Sequence, residues 1–224
     1  VVVQREFKRE PALAKLLYEL FASGMTIYDV PSFYEEVFRK VPVNEITEEW
    51  FLDHVGEPQR FYDGFKRAME VVGSLLLLII LSPFLLLIAL LVALTSKGSA
   101  IYSQTRIGQG GRHFTLYKFR SMREDAEKSG VQWATQRDPR STPIGQFLRT
   151  THLDELPQLV NILRGDLSFV GPRPERPEFV EQLAREIPYY EARLLVKPGV
   201  TGWAQIHHHK DMTSADVIEK LKYD

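Results

Sequence analysis

An uncharged apolar run of 24 residues constrains this chain more than any other feature of its sequence. The run covers residues 71–94, VVGSLLLLIILSPFLLLIALLVAL. A straight helix of that length is roughly 36 Å long, which is enough to span a bilayer. Ser82 and Pro83 stand at its midpoint, where a proline removes a backbone hydrogen bond and bends a helix. We therefore predict two helical halves, each about 18 Å long and roughly one leaflet deep, joined by a break at Ser82 and Pro83.

Positively charged residues flank the apolar run on both sides. Lys66 and Arg67 precede it, and residues 95–123 contain no acidic residue. The six basic residues of that stretch are Lys97, Arg106, Arg112, Lys118, Arg120 and Arg123. Because positive flanks favour the cytoplasmic side, a single span would place one of them on the wrong side. We predict a re-entrant helix-break-helix at about residues 68–95 that leaves the bilayer by the face it entered, with a kinked single span as the alternative.

Composition limits the classes of partner and site. The chain has 224 residues and a formal net charge of −1, which argues against a nucleic-acid partner. It has no cysteine, so disulfides and thiolate metal sites are excluded. The sequence starts VVVQ and stops inside a helical pattern at KLKYD, so we expect a piece of a longer protein.

Residues 1–59 have the strand-helix alternation of an α/β domain with a parallel sheet. Residues 1–3 could end a strand, and MTIYDV is predicted to be another. A helix between them is indicated by Pro11 at its start, Gly24 after its end, and leucines and a phenylalanine at helical spacing. Ser32 and Glu35 are predicted to form a capping box for a second helix. The segment has no Gly-rich phosphate loop, so we predict part of a Rossmann-like domain without a dinucleotide site, followed by a linker at 42–60.

The stretch RTTHLDELPQLVNILRGDLSFVGPRP, residues 149–174, pairs two acidic residues in front of an apolar helix. Apolar residues at 156, 159, 160 and 163 predict a helix that ends at about Arg164, with Gly165 as its C′ residue. Since Pro157 fits only the first turn, Asp154 or Leu153 is the predicted N-cap and Glu155 lies in the first turn. For an arbitrary sequence of this kind, capping and the helix dipole explain the carboxylates.

Cations around the acidic pair favour a second interpretation. Arg149 precedes the pair, and Arg173 follows it between two prolines that restrict its direction. Lys118 and Arg120 lie upstream, close in sequence to the apolar run. Fixed cations around two carboxylates at a membrane surface indicate a site for a phosphorylated, membrane-delivered substrate. The glycines of RIGQGGRHF are predicted to form a hairpin turn rather than a phosphate cradle, because no Gly-Lys-Ser/Thr follows them.

Four stretches closely resemble the bacterial sugar transferase family, the monotopic polyprenol-phosphate phosphoglycosyl transferases. They are SPFLLLIALLVAL, QTRIGQGGRHFTLYKFRSM, LDELPQLVNILRGDLSFVGPRP and KPGVTGWAQI. The resemblance covers residues 60–224, and residues 1–59 are similar to the end of the Rossmann-like domain of longer members. By this resemblance the catalytic dyad is Asp154 and Glu155, and the helix break is Ser82 and Pro83. The Pro-Arg-Pro motif then contains Arg173.

The resemblance implies transfer of a phosphosugar from a UDP-sugar to undecaprenyl (polyprenol) phosphate, the first membrane step of exopolysaccharide or other glycoconjugate synthesis. Asp154 would attack the β-phosphate, UMP would leave, and the aspartyl-phosphosugar would react with the lipid phosphate. Asp154 and Glu155 would hold Mg²⁺. Phosphate oxygens would be bound by Arg173, Arg120, Arg149 and Lys118. The resemblance further implies the cytoplasmic face of the bacterial inner membrane, and longer members suggest a homodimer.

The sequence departs from the family pattern at two places, and two other functions are alternatives. Glu70 occupies a position where the family usually has Asp, and residues 207–209 are three histidines where many members have Asn-Gly-Arg. A metal site at these histidines is not favoured, because only His207 and His209 share a face of an extended chain. A non-catalytic membrane-surface adaptor, in which the acidic pair only caps a helix, is the main alternative. A two-carboxylate glycosidase is disfavoured because adjacent acids do not flank a glycosidic bond.

Overall fold

The computed structural model describes residues 1–4, 10–48, 50, 60–96, 98–123, 125–126, 138–207 and 213–224. The chain begins with a small α/β unit in which two short strands pair in parallel through Val2↔Tyr28 and Val3↔Asp29. This pairing confirms the predicted parallel strand-helix-strand order. The elements of the unit are β1 (Val2–Val3), α1 (Pro11–Ala22), β2 (Tyr28–Asp29) and α2 (Val30–Phe38).

The first predicted helix is confirmed as α1, but the start of the second was predicted wrongly. Helix α2 begins at Val30, where Pro31 fits the first turn. Its N-cap is Asp29, whose Oδ1 accepts a 2.8 Å hydrogen bond from the backbone N–H of Ser32. Because this proline allows the helix to start early, Ser32 lies inside the first turn and does not form the predicted box. The strand predicted from MTIYDV is confirmed only at its Tyr-Asp pair, and the early start of α2 places Val30 in the helix.

The predicted linker packs against the protein where it is described. Residues 43–45 form a 3-10 turn, and Val43, Ile46 and Trp50 are buried. The rest of the prediction, from residue 51 to 59, lies outside the described residues.

The apolar run belongs to one helix, α3 (Arg60–Thr95), with Pro83 inside it. The predicted interruption is therefore corrected to a continuous helix. The Ser82 hydroxyl explains the continuity, because it donates a 2.8 Å hydrogen bond to the Ile79 carbonyl, which Pro83 leaves without its backbone donor. Within the described residues, α3 is the one helix whose length and composition would allow it to cross a membrane. The re-entrant path stays a prediction.

Helix α3 has one face on the protein and an apolar face in the open. Glu70, Ser74, Ile88 and Val92 are buried at helical spacing on a single stripe. Large apolar side chains cover the outer face, among them Leu76, Ile80, Phe84, Leu87, Leu91 and Leu94. An outer face of this composition fits a hydrocarbon environment rather than water.

The remaining elements surround the protein-facing side of α3. The strands β3 (Ile101–Ile107) and β4 (His113–Phe119) form an antiparallel pair, which confirms the predicted hairpin. Gly110 and Gly111 supply the positive φ angles of its turn. After the hairpin come α4 (Pro143–Thr150), α5 (Gln158–Arg164), β5 (Ser168–Val170), α6 (Pro177–Glu186), β6 (Gly199–Thr201), α7 (Trp203–His207) and α8 (Ser214–Leu221). Strands β5 and β6 pair in parallel.

Two hydrophobic clusters join α3 to the elements that follow it. In the first, Ile88 and Val92 of α3 pack with Phe119 of β4 and Leu148 of α4. In the second, Leu78 packs against a buried group from β4, α5 and the start of β5. That group is Leu116, Leu159, Ile162 and Leu167. Each buried leucine or isoleucine contributes about 1.5–3 kcal/mol to stability, so α3 is firmly attached to this part of the chain.

Candidate active site

The acidic pair lies in a separate 3-10 turn, Leu153–Glu155, between α4 and α5. His152, with φ of 57°, turns the chain out of α4 into it. Helix α5 starts later, at Gln158, with Pro157 as its N-cap and no side-chain cap. The predicted N-cap at Asp154 or Leu153 is therefore wrong, because Pro157 itself takes the position before the first helical residue. The C-terminal prediction is confirmed, since Gly165 ends the helix with φ of 91°.

Glu155 is held between two cations. Its Oε1 accepts a 2.8 Å hydrogen bond from Lys118 Nζ and a 3.0 Å hydrogen bond from Arg173 Nη2. Burial alone would raise the pKa of Glu155, but the charges and hydrogen bonds of these two residues hold that pKa well below its usual range. Burial lowers the pKa of Lys118, with Glu155 opposing the shift. Glu155 is thus an ionised anchor for both cations.

Asp154 is in the opposite situation. It is only 6% exposed, and its side chain accepts no hydrogen bond from any described residue. Burial raises the pKa of Asp154, with the positive charges of Lys118, Arg149 and Arg173 opposing the rise. Since α5 begins only at Gln158, Asp154 does not lie at the N-terminus of that helix. A buried carboxylate near cations but without a hydrogen-bond partner among the described residues is a candidate functional group.

A buried amide sets the position of Lys118 relative to the acidic pair. Asn161 of α5 is 0% exposed and bonds to the backbone of β4. Its Oδ1 accepts from the Tyr117 N–H at 3.1 Å and its Nδ2 donates to the Thr115 carbonyl at 2.7 Å. This pair of bonds fixes α5 beside β4, so that Lys118 meets Glu155. The sequence signal for this role was an amide in the middle of an apolar helix, where a buried polar group needs a partner.

The loop that carries Arg173 is fixed through its backbone. The Pro172 carbonyl accepts from the Gly199 N–H at 2.9 Å, and the Arg173 carbonyl accepts from Arg193 Nη2 at 3.0 Å. The next carbonyl, that of Pro174, accepts from Arg106 Nη1 at 3.1 Å. With three successive carbonyls bonded, the direction in which the Arg173 side chain leaves the loop is determined. Its side chain is still 37% exposed, so it can meet a ligand as well as Glu155.

Buried ion pairs lie directly behind this loop. Glu175 pairs with Lys220 at 3.3 Å and with Arg106 at 3.5 Å. Burial would raise the pKa of Glu175, but the neighbouring cations, led by Lys220, lower it. Arg193 pairs with Asp224 at 2.8 Å. Sequence reasoning missed this group, because its members come from four separate parts of the chain and only the tertiary structure brings them together.

The other predicted cations divide into two cases. Arg149 donates a 3.1 Å hydrogen bond to Ser141 Oγ and its charge acts on Asp154, so the structure brings it to the acidic pair. The guanidinium of Arg120 lies against Gly98. A role for Arg120 in substrate binding stays a prediction.

The start of α3 is attached to both elements that flank the site. Arg67 donates two 2.6 Å hydrogen bonds, to the carbonyls of Ile162 and Leu163 at the C-terminal end of α5. Glu70 accepts a hydrogen bond from the Ser168 hydroxyl of β5, the strand that leads to the Arg173 loop. The glutamate that departs from the family pattern therefore has a structural partner.

No cluster of three or more potential metal ligands occurs among the described side chains. His207 ends α7, and its ring stacks on Tyr223 with centroids 5.2 Å apart and lies tilted against Trp203 at 4.1 Å. His208 and His209 lie outside the described residues. A metal at the acidic pair would therefore be held by one or two carboxylates and completed by a ligand, as is common for Mg²⁺.

Comparison of the sequence with known proteins identifies its relatives. A family model described as bacterial sugar transferase matches residues 61–224. The chain is 37% identical over 198 residues to a UDP-N-acetylgalactosamine-undecaprenyl-phosphate N-acetylgalactosaminephosphotransferase of Aeromonas hydrophila, covering 88% of this chain and 46% of the relative. It is 51% identical over 133 residues to a putative undecaprenyl-phosphate N-acetylgalactosaminyl 1-phosphate transferase of Bacillus subtilis (strain 168), covering 59% of this chain and 74% of the relative.

A third relative carries a different sugar in its name. The chain is 47% identical over 157 residues to the UDP-glucose:undecaprenyl-phosphate glucose-1-phosphate transferase of Escherichia coli (strain K12). The match covers 70% of this chain and 33% of the relative. The chain thus spans less than half the length of the Aeromonas and Escherichia relatives.

Proposed function

The chain belongs to the bacterial sugar transferase family, and we propose that it transfers a phosphosugar from a UDP-sugar to undecaprenyl phosphate with release of UMP. The names of the three relatives, each an undecaprenyl-phosphate sugar phosphotransferase, support this reaction. The reaction would be the first membrane step of exopolysaccharide or other glycoconjugate synthesis. It would take place at the cytoplasmic face of the bacterial inner membrane.

The observation that carries the proposal is the contrast between the two adjacent carboxylates. Glu155 is neutralised by Lys118 and Arg173, whereas Asp154 is buried without a hydrogen-bond partner among the described residues. A raised pKa makes a carboxylate more basic and a stronger nucleophile once it is ionised. The adaptor alternative loses its main support, since the acidic pair does not cap α5.

The first chemical step is an attack by a carboxylate oxygen of Asp154 on the β-phosphorus of the UDP-sugar. The bond from that phosphorus to the oxygen shared with the α-phosphate breaks, and UMP leaves with the electron pair. The phosphosugar remains on Asp154 as a mixed anhydride. Arg173 and Arg149 are suited to bind the phosphate oxygens, since guanidinium groups do so through paired hydrogen bonds.

In the second step an oxygen of the lipid phosphate attacks the same phosphorus. The bond to the Asp154 oxygen breaks, which regenerates the carboxylate and leaves a polyprenyl diphosphate sugar. The lipid phosphate is already anionic near neutral pH, so this attack needs no general base. Glu155 therefore acts by holding Lys118 and Arg173 rather than by removing a proton.

Mg²⁺ is the proposed cofactor. Asp154 fits it as a ligand, because its buried charge has no hydrogen-bond partner among the described side chains and a cation would compensate that charge. Glu155 fits less well, because its Oε1 already accepts two hydrogen bonds from cations. When bound, the ion supplies neutralisation of the diphosphate charge that would otherwise repel the attacking carboxylate.

The proposal includes a monotopic attachment to the bilayer. The contacts of α3 support it, because Leu78, Leu85, Ile88 and Val92 pack against the domain that carries the acidic pair. The central residues of a single span would be surrounded by lipid and far from that domain. The predicted re-entrant path places Asp154 near the headgroup plane, where the acceptor phosphate lies.

A UMP-release assay tests the proposed function. The purified protein, in lipid particles with polyprenol phosphate and Mg²⁺, would be given UDP-glucose, UDP-galactose, UDP-N-acetylglucosamine and UDP-N-acetylgalactosamine in separate reactions. We expect UMP release with at least one of them and a polyprenyl diphosphate sugar as the second product. Release of UDP instead of UMP would mean that a sugar and not a phosphosugar is transferred. No nucleotide release from any donor would support the adaptor.

A further inference from the structure

The segment that follows α2, residues 39–48, runs along the C-terminal part of the protein. We call it the connecting segment. At α8, Lys40 Nζ pairs with Glu219 Oε1 at 3.0 Å and lies 4.9 Å from the centre of the Tyr223 ring. The next residue, Val41, donates a 2.8 Å backbone hydrogen bond to the Lys222 carbonyl. The connecting segment is therefore attached to α8 by side chain and backbone together.

The connecting segment also contacts two other elements. The Trp203 indole N–H of α7 donates a 3.3 Å hydrogen bond to the Arg39 carbonyl. The Tyr189 hydroxyl donates a 3.0 Å hydrogen bond to Glu48 Oε1. Tyr189 immediately precedes the 3-10 turn at residues 190–194, and its φ of 58° turns the chain into it. Three elements that are separate in sequence are thus contacted by one ten-residue segment.

Each of these three elements holds Arg173 or the residues behind it. From α7, Gln205 Oε1 accepts a 3.3 Å hydrogen bond from Arg173 Nη1. From the 3-10 turn, Arg193 bonds the Arg173 carbonyl. From α8, Lys220 pairs with Glu175, and Asp224 beyond the helix pairs with Arg193.

We propose that the connecting segment is a positioning element for Arg173 and that Lys40 is its principal side chain. By holding α7, α8 and the 3-10 turn together, it keeps Gln205 and Arg193 where they direct the guanidinium towards Glu155. It thereby couples the N-terminal α/β unit to the phosphate-binding part of the site. The inference rests on the proposed function and adds to it a residue outside the site that tunes substrate binding.

The test is a charge reversal at Lys40 with a matched control. Lys40→Glu places two carboxylates together and pushes α8 away. Arg39→Glu makes the same charge change on an exposed side chain that pairs, among the described residues, with Glu36 of α2. In UMP release with the protein in lipid particles, Lys40→Glu should lower kcat/KM about 3- to 10-fold, mainly through a higher KM for the UDP-sugar. Arg39→Glu should leave it unchanged.

Two further variants separate positioning from general stability. The double variant Lys40→Glu/Glu219→Lys restores an ion pair in the opposite sense and should recover part of the lost kcat/KM. Recovery is incomplete because Lys222, which also pairs with Glu219, loses its partner. In an Arg173→Ala background, Lys40→Glu should have no additional effect, because the residue through which it acts is absent. Tyr189→Phe, which removes one hydrogen bond, should lower kcat/KM in the same direction by a smaller factor.

The outcomes distinguish this inference from the proposed function. If the unmodified protein releases no UMP, the proposed function fails and the inference falls with it. If the protein is active and Lys40→Glu behaves like Arg39→Glu, only the inference is overturned. An equal loss in the presence and absence of Arg173 also overturns it, because that result indicates a general effect on the fold.

Discussion

The buried carboxylates around Arg173 are paired with cations, whereas the neighbouring Asp154 is not. Asp154 is also buried, but its carboxylate has no hydrogen-bond partner among the described residues. Glu155 has Lys118 and Arg173, and Glu175 has its own two cations. Unfavourable burial of a charge is usually relieved by a partner or a change of protonation. The paired carboxylates hold the cations of the site in place. We propose that Asp154, which is buried without such a pairing, is the carboxylate that reacts or binds a cation.

The largest expected effect follows from removing the carboxylate of Asp154. Asp154→Asn should lower UMP release about 10,000-fold or more, since the nucleophile is lost. The same variant should keep or increase the free energy of unfolding, because the amide carries no charge that burial penalises. Activity assays and denaturant unfolding in the same detergent measure both effects. A large fall in stability would show that Asp154 is structural and would remove the contrast.

Truncating Arg173 should have the next largest effect. Arg173→Ala should lower kcat/KM about 100- to 1,000-fold, because a guanidinium that binds phosphate oxygens is lost from a partly desolvated site. Arg112→Ala, a change of the same charge in the exposed hairpin turn, serves as the control and should retain full activity. A loss of less than about tenfold for Arg173→Ala would mean that the phosphate groups are bound elsewhere.

Replacing Glu155 by glutamine tests the contrast between the two carboxylates by its effect on the free energy of unfolding. Glu155→Gln leaves the buried Lys118 ammonium without its carboxylate, which should lower the free energy of unfolding by about 3 kcal/mol. Asp154→Asn is the matched control, since it makes the same chemical change one residue earlier. Equal unfolding free energies for the two variants would contradict the different roles that we assign to the two carboxylates.

The pH dependence of activity and of stability should also distinguish Asp154 from Glu155, with smaller effects than the substitutions. Because burial raises the pKa of Asp154, the acid limb of kcat/KM should lie above the ordinary Asp value of about 3.9. Added Mg²⁺ favours the ionised carboxylate, so it should move that limb to lower pH.

The pKa of Glu155 is shifted in the opposite direction, and this shift affects the pH dependence of stability. Its folded-state pKa lies below the unfolded value of about 4.3, so the stability it contributes is present above that pH and is lost as the pH falls further.

Local patterns predicted much of the fold and the centre of the site. Helical spacing in α1, the glycine turn between β3 and β4, and the role of Gly165 are set within a few residues, and all three predictions are confirmed. The errors in predicted helix boundaries occur at or beside prolines. Pro31 and Pro157 moved two helix starts away from the predicted caps, and the hydroxyl beside Pro83 kept α3 continuous.

Contacts between distant segments could not be predicted from the sequence. Charge and spacing pointed to Lys118, Arg149 and Arg173 around the acidic pair, and the structure brings these three together. Of the partners behind them, Arg193 lies in a segment with no recognisable motif, and Asn161 lies within the motif of residues 153–174, which does not reveal what the amide contacts. Which of many similar residues becomes buried and paired depends on tertiary packing, which local periodicity does not specify.

The most direct measurement is mass spectrometry of the protein after incubation with a UDP-sugar and Mg²⁺ in the absence of lipid acceptor. We expect one equivalent of UMP to be released rapidly and a phosphosugar to appear on the peptide that contains Asp154. Adding polyprenol phosphate should then remove the modification. UMP release that requires the acceptor from the start, or a phosphosugar on a different residue, would contradict the proposal that Asp154 is the nucleophile.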